Sequence, residues 1–281
     1  RQRQMCIRDR VRRNASLELP HILLLCDDDQ KVLLEPIGAK KECLTKLYDF
    51  DLMEDGGHIT GYLVSGEEAA AFENRLTAYT AACPNKYRDL AGASLVFAVG
   101  DGNHSLATAK SCYEELKAQN PGVDLSNHPA RYALVELENI HDEAQQFEPI
   151  HRVVVETDPE ALLAALEPWC APDGYPITWY AGEKTGTVYL DRSRSQLEVG
   201  ALQQFLDEYL GANPGKIDYI HGDEDLKTLA RQDRAIGFLL PAMAKSQLFR
   251  GVVADGVLPR KTFSMGHARE KRYYLEGRKI K

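Results

Sequence analysis

The chain has 281 residues, of which 44% are hydrophobic and 27% are charged, and its formal net charge is −8. This length and composition accommodate one large or two ordinary soluble domains. The negative charge argues against broad binding to nucleic acid, because a surface for the phosphate backbone needs an excess of basic residues. We therefore expect a small-molecule ligand and no nucleic-acid partner. The sequence does not indicate an oligomeric state.

No apolar stretch approaches the roughly 20 residues of a membrane helix. The longest obvious candidate, HILLL at 21–25, is much shorter. The six cysteines are scattered without metal-site spacing, and no secretory leader is recognisable. These features predict a cytoplasmic protein with reduced thiols and no membrane contact.

The N-terminus differs in character from the rest of the chain. Its first ten residues, RQRQMCIRDR, are basic, lack apolar periodicity and resemble a translated sequencing adapter. We interpret residues 1–13 as a non-native leader and expect the fold to begin after them.

Residues 14–147 are predicted to form a first domain. We expect a hairpin of two strands, HILLLCD and KVLLEPI, around the turn DDDQ, and then a helix over AKKECLTKLYDF. A turn at DGGH precedes the strand ITGYLV, and Ser65 is the predicted N-cap of a helix that ends near Ala82. Further elements are the strand SLVFAV, the helix LATAKSCYEELKAQ, stopped by Asn120-Pro121, and the strand YALVELENI.

Residues 148–281 are predicted to form a second domain with a basic tail. RVVVET is expected to begin a second set of elements, with strands near ITWYA, TVYLD, KIDYI and AIGFLLP and helices from Pro159, Gly200, Asp223 and Ala242. Strands that alternate with helices favour an α/β fold, with α+β as the alternative. The tail is expected either to fold across the body or to fray.

The segment FAVGDGNHSL at 97–106 is the strongest candidate site, at a predicted strand-to-helix junction. A helix N-terminus leaves backbone N–H groups unpaired and attracts anions. Phosphate-binding candidates are Gly100, Gly102, Asn103 and Ser105. His104 is a candidate to contact the transferring group, and Asp101 to bind Mg²⁺ or a substrate hydroxyl. Ordinary capping and turn formation explain the same residues, and the segment has neither P-loop nor dinucleotide spacing.

Other polar residues have competing explanations. In FEPIHRVV, His151 suits acid–base chemistry and Arg152 a phosphate clamp, but an ion pair between Glu148 and Arg152 is the favoured interpretation. His221 and Gly222 follow a strand. We expect either a ligand at this place or a plain turn in which Asp223 caps the next helix. In the tail, either a cationic loop beside a phosphate or a solvated charged face explains Lys261, Ser264, His267 and Arg272. The run Asp27–Asp29 suggests either a metal site or, as the favoured interpretation, a hairpin turn, and His58 is interpreted as a turn residue.

Four motifs together resemble one family. The segments VFAVGDGNHSLATAK, FEPIHRVV, DYIHGDEDL and LPRKTFSMGHAREKRYYLE occur in the order typical of domain-of-unknown-function family 1015. That family is similar to the ParB/sulfiredoxin-like superfamily, which includes free-serine kinases with an Asp-Gly-x-His-Arg turn. The resemblance implies a ParB/sulfiredoxin-like mixed sheet with helices in residues 14–147, followed by a second α/β domain. It also implies a truncated N-terminus, because family members carry a longer segment before HILLL.

The resemblance transfers one motif position by position. Asp101, Gly102, Asn103 and His104 match Asp, Gly, x and His, whereas Ser105 replaces Arg. An Arg fork makes paired, charge-assisted bonds to phosphate that a hydroxyl cannot reproduce. Lys110 is poorly aimed at the helix start, so Arg152, Arg260, Lys261 and His267 are the candidates to supply the missing contact.

These observations lead to three functional hypotheses. The first is a kinase that uses ATP or ADP with Mg²⁺ and phosphorylates a small hydroxyl-bearing metabolite such as serine. The second is a non-catalytic nucleotide-binding or regulatory module, which the loss of the Arg favours. A hydrolase that uses Asp101 and His104 for proton transfer is the third.

Overall fold

The computed structural model describes residues 11–19, 22–90, 94–265 and 275–281. The chain divides into two compact units. Of the described residues, the first unit contains those up to 83, 95–142 and 275–281, and the second contains 84–90, 94 and 143–265. The prediction placed a single boundary after residue 147. In the structure, the C-terminal residues 275–281 belong to the first unit, and residues 84–90 belong to the second.

The described residues form mixed helices and sheets, as expected for an α/β composition. The strands are β1 (Leu17–Glu18), β2 (Leu23–Cys26), β3 (Thr45–Asp51), β4 (His58–Leu63), β5 (Ala98–Asp101), β6 (Glu136–Asn139), β7 (Phe147–Pro149), β8 (His151–Val155), β9 (Cys170–Ala181), β10 (Lys184–Leu190), β11 (Lys216–Ile220), β12 (Ile236–Leu239), β13 (Phe263–Met265) and β14 (Arg278–Lys279). The helices are α1 (Glu35–Gly38), α2 (Gly66–Ala82), α3 (Asn103–Gln119), α4 (Pro159–Leu166), α5 (Glu198–Ala212), α6 (Asp223–Ala230) and α7 (Lys245–Asp255).

The first unit is built on a three-stranded sheet in the order β5-β2-β6. Strand β2 pairs antiparallel with β5 and parallel with β6. One face of the sheet packs on a core that contains Cys26, Leu33, Tyr79 and Cys83 together with Leu137. Strands β3 and β4 form a separate hairpin, and β1 pairs with β14 near the two ends of the chain.

The predicted hairpin between HILLLCD and KVLLEPI is wrong. Strand β2 pairs with β5 and β6, and the following residues turn into the short helix α1. The physical reason is Asp28, which is only 3% exposed and whose carboxylate accepts a hydrogen bond from the Leu33 backbone N–H at 2.7 Å. The Asn139 side chain completes the connection by donating to the Asp28 carbonyl at 2.8 Å. A turn closed by a buried carboxylate replaces the expected two-stranded ladder.

The predicted helix over AKKECLTKLYDF is also wrong. Only Lys41–Cys43 form a helical turn, of the 3₁₀ type, and the chain then enters β3. Strand β3 pairs with β4 across the predicted DGGH turn, and the Tyr48 ring lies directly over Gly61. Pairing with a neighbouring strand outweighs the local helical pattern here.

Other predicted elements of the first unit are confirmed. Helix α2 spans Gly66–Ala82, and Ser65 precedes it in an extended conformation, although its side chain forms no capping hydrogen bond. Helix α3 ends at Gln119, immediately before Asn120-Pro121. Residues 11–13 were assigned to the leader, yet Arg12 pairs with Glu18 and Arg13 with Glu115, so these residues contact the folded unit.

The second unit is built on a five-stranded sheet in the order β10-β9-β12-β8-β11. All four strand pairings are antiparallel, which corresponds to the α+β alternative for this unit. Helix α5 is largely buried, and the strands predicted near ITWYA, TVYLD, KIDYI and AIGFLLP are present. The segment RVVVET lies mostly in β8. The helix predicted from Gly200 begins at Glu198, and the helix predicted from Ala242 begins at Lys245.

The basic tail divides between the two units. Strand β13 pairs with β7 in the second unit, and β14 pairs with β1 in the first. Residues 266–274, which include His267 and Arg272, lie outside the described residues. Within the part of the chain that is described, the five cysteines are free thiols, and no helix is long and apolar enough to cross a bilayer.

We predict that Asp28→Ala destabilises the first unit by about 1–3 kcal/mol. The substitution leaves the buried Leu33 N–H without an acceptor, and an unpaired buried donor costs roughly this amount. Urea unfolding measures the difference. Asp29→Ala is the matched control, because the adjacent Asp29 side chain is exposed and should have little effect. Equal destabilisation by the two substitutions would contradict the role assigned to Asp28.

Candidate functional site

The junction between β5 and α3 places the predicted turn at the edge of the three-stranded sheet. The pairing of β5 with β2 shifts by one residue, so that Asp101 opposes Leu23 while Val99 opposes Leu24. Gly100 is the extra residue in this irregularity. Gly102 is the residue before α3 and adopts φ 83° and ψ 15°, a left-handed conformation that favours glycine. The two glycines thus have separate backbone roles.

The N-terminus of α3 offers unpaired backbone donors. The first helical hydrogen bond runs from the Leu106 N–H to the Gly102 carbonyl at 3.0 Å. The N–H groups of Asn103, His104 and Ser105 have no acceptor among the described residues, and no side chain caps the helix. Its first turn contains no acidic residue. The three amides and the helix dipole favour an anion at this position.

The side chains around these amides are accessible. Asp101, Asn103 and His104 are exposed, and Ser105 is partly exposed. One carboxylate oxygen of Asp101 accepts a hydrogen bond from the Gly102 N–H at 2.7 Å. This bond occupies the Gly102 amide, so the predicted phosphate contact at Gly102 does not use that N–H in the observed arrangement.

Two further carboxylates lie on the same face of the sheet, and the sequence analysis did not identify them. Leu23 opposes both Asp101 on β5 and Glu136 on β6, so the three side chains project to one face. Glu138, two residues after Glu136, projects to that face as well. The core residues Cys26 and Leu137 belong to the opposite face. We call the surface formed by Asp101, Glu136 and Glu138 the acidic face. In the sequence, the alternation of Glu and Leu in VELEN indicates it.

The acidic face changes the titration of its members. Burial, together with the neighbouring charges of Glu136 and Asp142, raises the pKa of Glu138 to about 7. Burial and the charge of Glu276 also raise the pKa of Glu136. A carboxyl group with a pKa near neutrality is suited to proton transfer. In the described part of the chain, however, no three His, Cys, Asp or Glu side chains are placed to hold a metal ion together.

Arg152 does not suit the predicted role of phosphate clamp. Its side chain is fully buried in the second unit, and burial lowers its pKa to about 10. The guanidinium donates to the Gln203 side chain and to the backbone carbonyls of Ile150, Arg260 and Lys261. It also lies over the Tyr219 ring, at 4.8 Å from the centroid. These contacts replace the predicted ion pair with Glu148, and they give Arg152 a structural role.

His151 is buried beside Arg152. Its Nδ1 accepts a hydrogen bond from the Leu240 N–H, and its Nε2 contacts the Asp223 carboxylate, each at 3.1 Å. Burial lowers the pKa of His151 despite the opposing effect of Asp223. The prediction that Asp223 simply caps a helix missed this contact. With 1% exposure, His151 does not present its ring to a ligand.

The remaining sequence candidates are dispersed. Lys261 is exposed and its carbonyl accepts from Arg152, whereas His267 lies outside the described residues. His58 is the first residue of β4 rather than a turn residue, and it contacts Asp49 and Asp51 at 2.6 Å each. Asp27 contacts His141 at 2.6 Å. These pairs stabilise local structure and show no arrangement for a metal ion.

The fold and the candidate site define the class of protein. It has two units of mixed α/β structure, and the first unit contains a helix N-terminus that is suited to binding an anion. More specifically, the chain belongs to the family described as protein of unknown function (DUF1015), whose model matches residues 2–275. The expected family membership is therefore confirmed. No curated protein matches the chain.

Several solved structures are similar to the chain. A mutant of a free serine kinase in complex with AMP has a TM-score of 0.50 and 11% identity, with coverage of 100% of this chain and 85% of that chain. A conserved hypothetical protein from Pyrococcus furiosus has a TM-score of 0.45 and 12% identity, with coverage of 100% and 88%. A free serine kinase mutant in complex with ADP has a TM-score of 0.44 and 12% identity, with coverage of 95% and 92%. At this identity, the first of these similarities establishes a likeness of fold.

We predict that Glu138 makes the free energy of unfolding fall as the pH rises from about 4.5 to about 7. The unfolded chain releases this proton near the ordinary value of 4.5, whereas the folded protein retains it until about 7, so ionisation penalises the folded state. Urea titrations across this pH range measure the slope. Glu138→Gln should flatten it, and the exposed Glu42→Gln should not. An unchanged slope in Glu138→Gln would refute the prediction.

We predict that His151 is neutral in the folded protein at pH 6.5 and carries its proton on Nε2. The Leu240 N–H donates to Nδ1, which leaves Nε2 to donate to Asp223, and burial opposes the charged form. Nitrogen-15 NMR of the imidazole identifies the tautomer and follows its titration. His58 is the internal comparison, because hydrogen bonds to Asp51 and Asp49 raise its pKa. A proton on Nδ1, or titration of His151 above 6.5, would contradict this assignment.

Proposed function

We propose that the protein is a nucleotide-dependent kinase that phosphorylates a small hydroxyl-bearing metabolite such as serine. The observation that supports it most is the start of α3, where three amides without an acceptor among the described residues follow the left-handed Gly102 and the exposed His104 lies beside them. A phosphate group at this position would accept hydrogen bonds from the amides of Asn103, His104 and Ser105. The Ser105 hydroxyl and Asn103 amide add neutral donors.

The likeness to a free serine kinase supports the same proposal. That protein was solved with AMP, and it shares its fold with this chain at low sequence identity. The Asp-Gly-x-His turn at 101–104, which resembles the turn of ParB/sulfiredoxin-like kinases, adds a local argument. Together, the fold and the turn favour AMP, ADP or ATP as the ligand and favour phosphoryl transfer as the reaction.

The carboxylates of the acidic face supply the acid–base chemistry. Asp101 retains one carboxylate oxygen outside its bond to Gly102, and we assign it to the acceptor hydroxyl or to Mg²⁺. Glu138, with a pKa of about 7, is the second candidate to accept the hydroxyl proton. His104 contacts the phosphoryl group that is transferred. Stabilisation of the charge on that group and alignment of the hydroxyl are what such a site contributes to catalysis.

Mg²⁺ fits this site only together with the nucleotide. The described residues contain no group of three or more ligating side chains, so the protein alone does not enclose the ion. A Mg²⁺ ion bound by one or two carboxylates and by nucleotide phosphates needs no such group. Asp101 is the residue that would hold it, and bound Mg²⁺ would neutralise phosphate charge.

A non-catalytic nucleotide-binding module is the second candidate function. Ser105 occupies the position at which the kinase turn has Arg, and a hydroxyl cannot form the paired, charge-assisted bonds of a guanidinium. Arg152 does not compensate, since its guanidinium is buried and bonded within the second unit. Binding of a nucleotide without transfer of its phosphate would identify this function.

The test combines calorimetry with product analysis. AMP, ADP and ATP are titrated into the protein with and without Mg²⁺, and small hydroxyl metabolites, L-serine first, are then screened for phosphorylated products by mass spectrometry. We expect His104→Ala to weaken nucleotide binding roughly tenfold, equivalent to about 1.4 kcal/mol. Lys110→Gln is the control, because this cation lies further along α3 and its loss should leave the affinity nearly unchanged.

Two variants separate binding from catalysis. We expect Asp101→Asn and Glu138→Gln to lower the rate of phosphoryl transfer by roughly a hundredfold or more while leaving nucleotide affinity, measured without Mg²⁺, nearly unchanged. Transfer that is unaffected by both Asp101→Asn and His104→Ala would refute the kinase site. Nucleotide binding without any phosphorylated product would favour the non-catalytic module. Release of inorganic phosphate from a phosphate ester would instead indicate a hydrolase.

A further inference from the structure

A cavity of about 800 Å³ lies within the second unit, at one end of its five-stranded sheet. Three connections line it: the residues between β8 and α4, the turn between β9 and β10, and the residues between α6 and β12. The contacts of His151 with Leu240 and Asp223 lie at the opposite end of the same sheet. The cavity is therefore separate from every site considered so far.

The cavity has an apolar wall that includes an aromatic ring. Trp179 on β9 is half-buried and opposes Gly186 on β10. The absence of a side chain at Gly186 leaves room for the indole, because a Cβ there would be 2.7 Å from the ring. Leu163 and Pro159 add aliphatic surface. A wall of this kind binds an apolar group of moderate size.

A buried hydroxyl in the cavity lining is unsatisfied. Thr157 is 0% exposed, and its Oγ1 has no hydrogen-bond partner among the described residues. Its backbone N–H donates to the Arg234 carbonyl at 3.0 Å, which ties Thr157 to the connection before β12. Buried polar atoms are nearly always paired with protein, water or a ligand. Thr157 therefore adds a buried polar group to the residues that line the cavity.

The rim of the cavity contains charges of both signs. Two acid–base pairs are formed within the rim, Glu160 with Lys184 at 2.8 Å and Glu183 with Arg231 at 3.9 Å. Asp158 caps α4 by accepting hydrogen bonds from the backbone N–H groups of Glu160 and Ala161. The two charged residues of the rim that remain are Asp233 and Arg234. Asp233 forms no ion pair with a described residue, and Arg234 donates a long hydrogen bond to the Glu156 carbonyl at 3.4 Å. One carboxylate and one guanidinium are thus adjacent and available.

We propose that this cavity binds a zwitterionic α-amino acid with an apolar side chain. The Arg234 guanidinium pairs with the ligand carboxylate, Asp233 pairs with the ammonium group, and Trp179 contacts the side chain. A polyphosphate does not suit this rim, because its four carboxylates would repel it. A simple hydrophobic molecule would use neither of the two charges at Asp233 and Arg234. The inference does not depend on the proposed kinase activity.

The chain provides its own reporter for this cavity. It has two tryptophans, and the other one, Trp169, packs against Phe205 and Arg194 instead of lining the cavity. In a Trp169→Phe background, Trp179 is the only tryptophan. We expect saturable changes in its emission on addition of L-leucine or L-phenylalanine. Calorimetry with the unsubstituted chain checks that the background substitution has not altered binding.

The charged groups are tested by variants and by matched ligands. Asp233→Asn and Arg234→Gln should each weaken binding about tenfold, whereas Lys216→Gln, on the exposed surface of β11, should leave it unchanged. Isocaproate is leucine without its ammonium group, and isoamylamine is leucine without its carboxylate. Each should bind about tenfold more weakly than leucine.

Three outcomes would overturn the proposal. The first is the absence of saturable binding by either amino acid up to about 10 mM in calorimetry. The second is equal binding of isocaproate or isoamylamine and leucine, which would remove the need for a zwitterion. The third is a change of Trp179 emission on addition of ADP but not of leucine, which would assign the cavity to a polyanion.

Discussion

The register between β5, β2 and β6 is the constraint on which the candidate site depends. In this register Asp101, Glu136 and Glu138 project to one face of the sheet, while Cys26 and Leu137 project to the core on the other. A slip of one residue would exchange the two faces and bury the carboxylates. The shift at Gly100 then allows the chain to leave β5 and start α3 directly after Asp101. Sheet pairing thus brings Glu136 and the start of α3 to the same end of the sheet, with Leu23 of the central strand between Asp101 and Glu136.

The two units use polar groups in different ways. In the second unit, the guanidinium of Arg152 satisfies its donors with Gln203 and backbone carbonyls, so this charge has a structural role. In the first unit, the amides at the start of α3 have no acceptor among the described residues, and Glu138 retains its proton up to about pH 7. These amides and the perturbed carboxyl are the features on which the proposed site rests. In the second unit, the buried Thr157 hydroxyl has no partner in the part of the chain that the structure describes.

Sequence patterns predicted the two long helices of the first unit well and the segments around Asp28 and Lys41 poorly. Helices α2 and α3 have seventeen residues each and match the predicted segments, because periodicity, first-turn residues and the stop at Asn120-Pro121 agree. The hairpin expected around Asp27–Asp29 failed because the buried Asp28 closes a different turn. The helix expected over AKKECLTKLYDF failed because β4 is available as a partner for β3. In both cases, contacts distant in sequence outweighed the local pattern.

The same distinction between local pattern and distant contact applies to the candidate site. The sequence by itself determined the Gly-flanked turn at 100–105 and its place between a strand and a helix, because these depend on neighbouring residues alone. Only the tertiary structure decided that Glu136 and Glu138 share a face with Asp101, since strand pairing joins residues far apart in the chain. It also decided that His151 and Arg152 are buried, and that the buried Thr157 hydroxyl has no hydrogen-bond partner among the described residues. Burial is a property of packing between distant elements, and no local pattern specifies it.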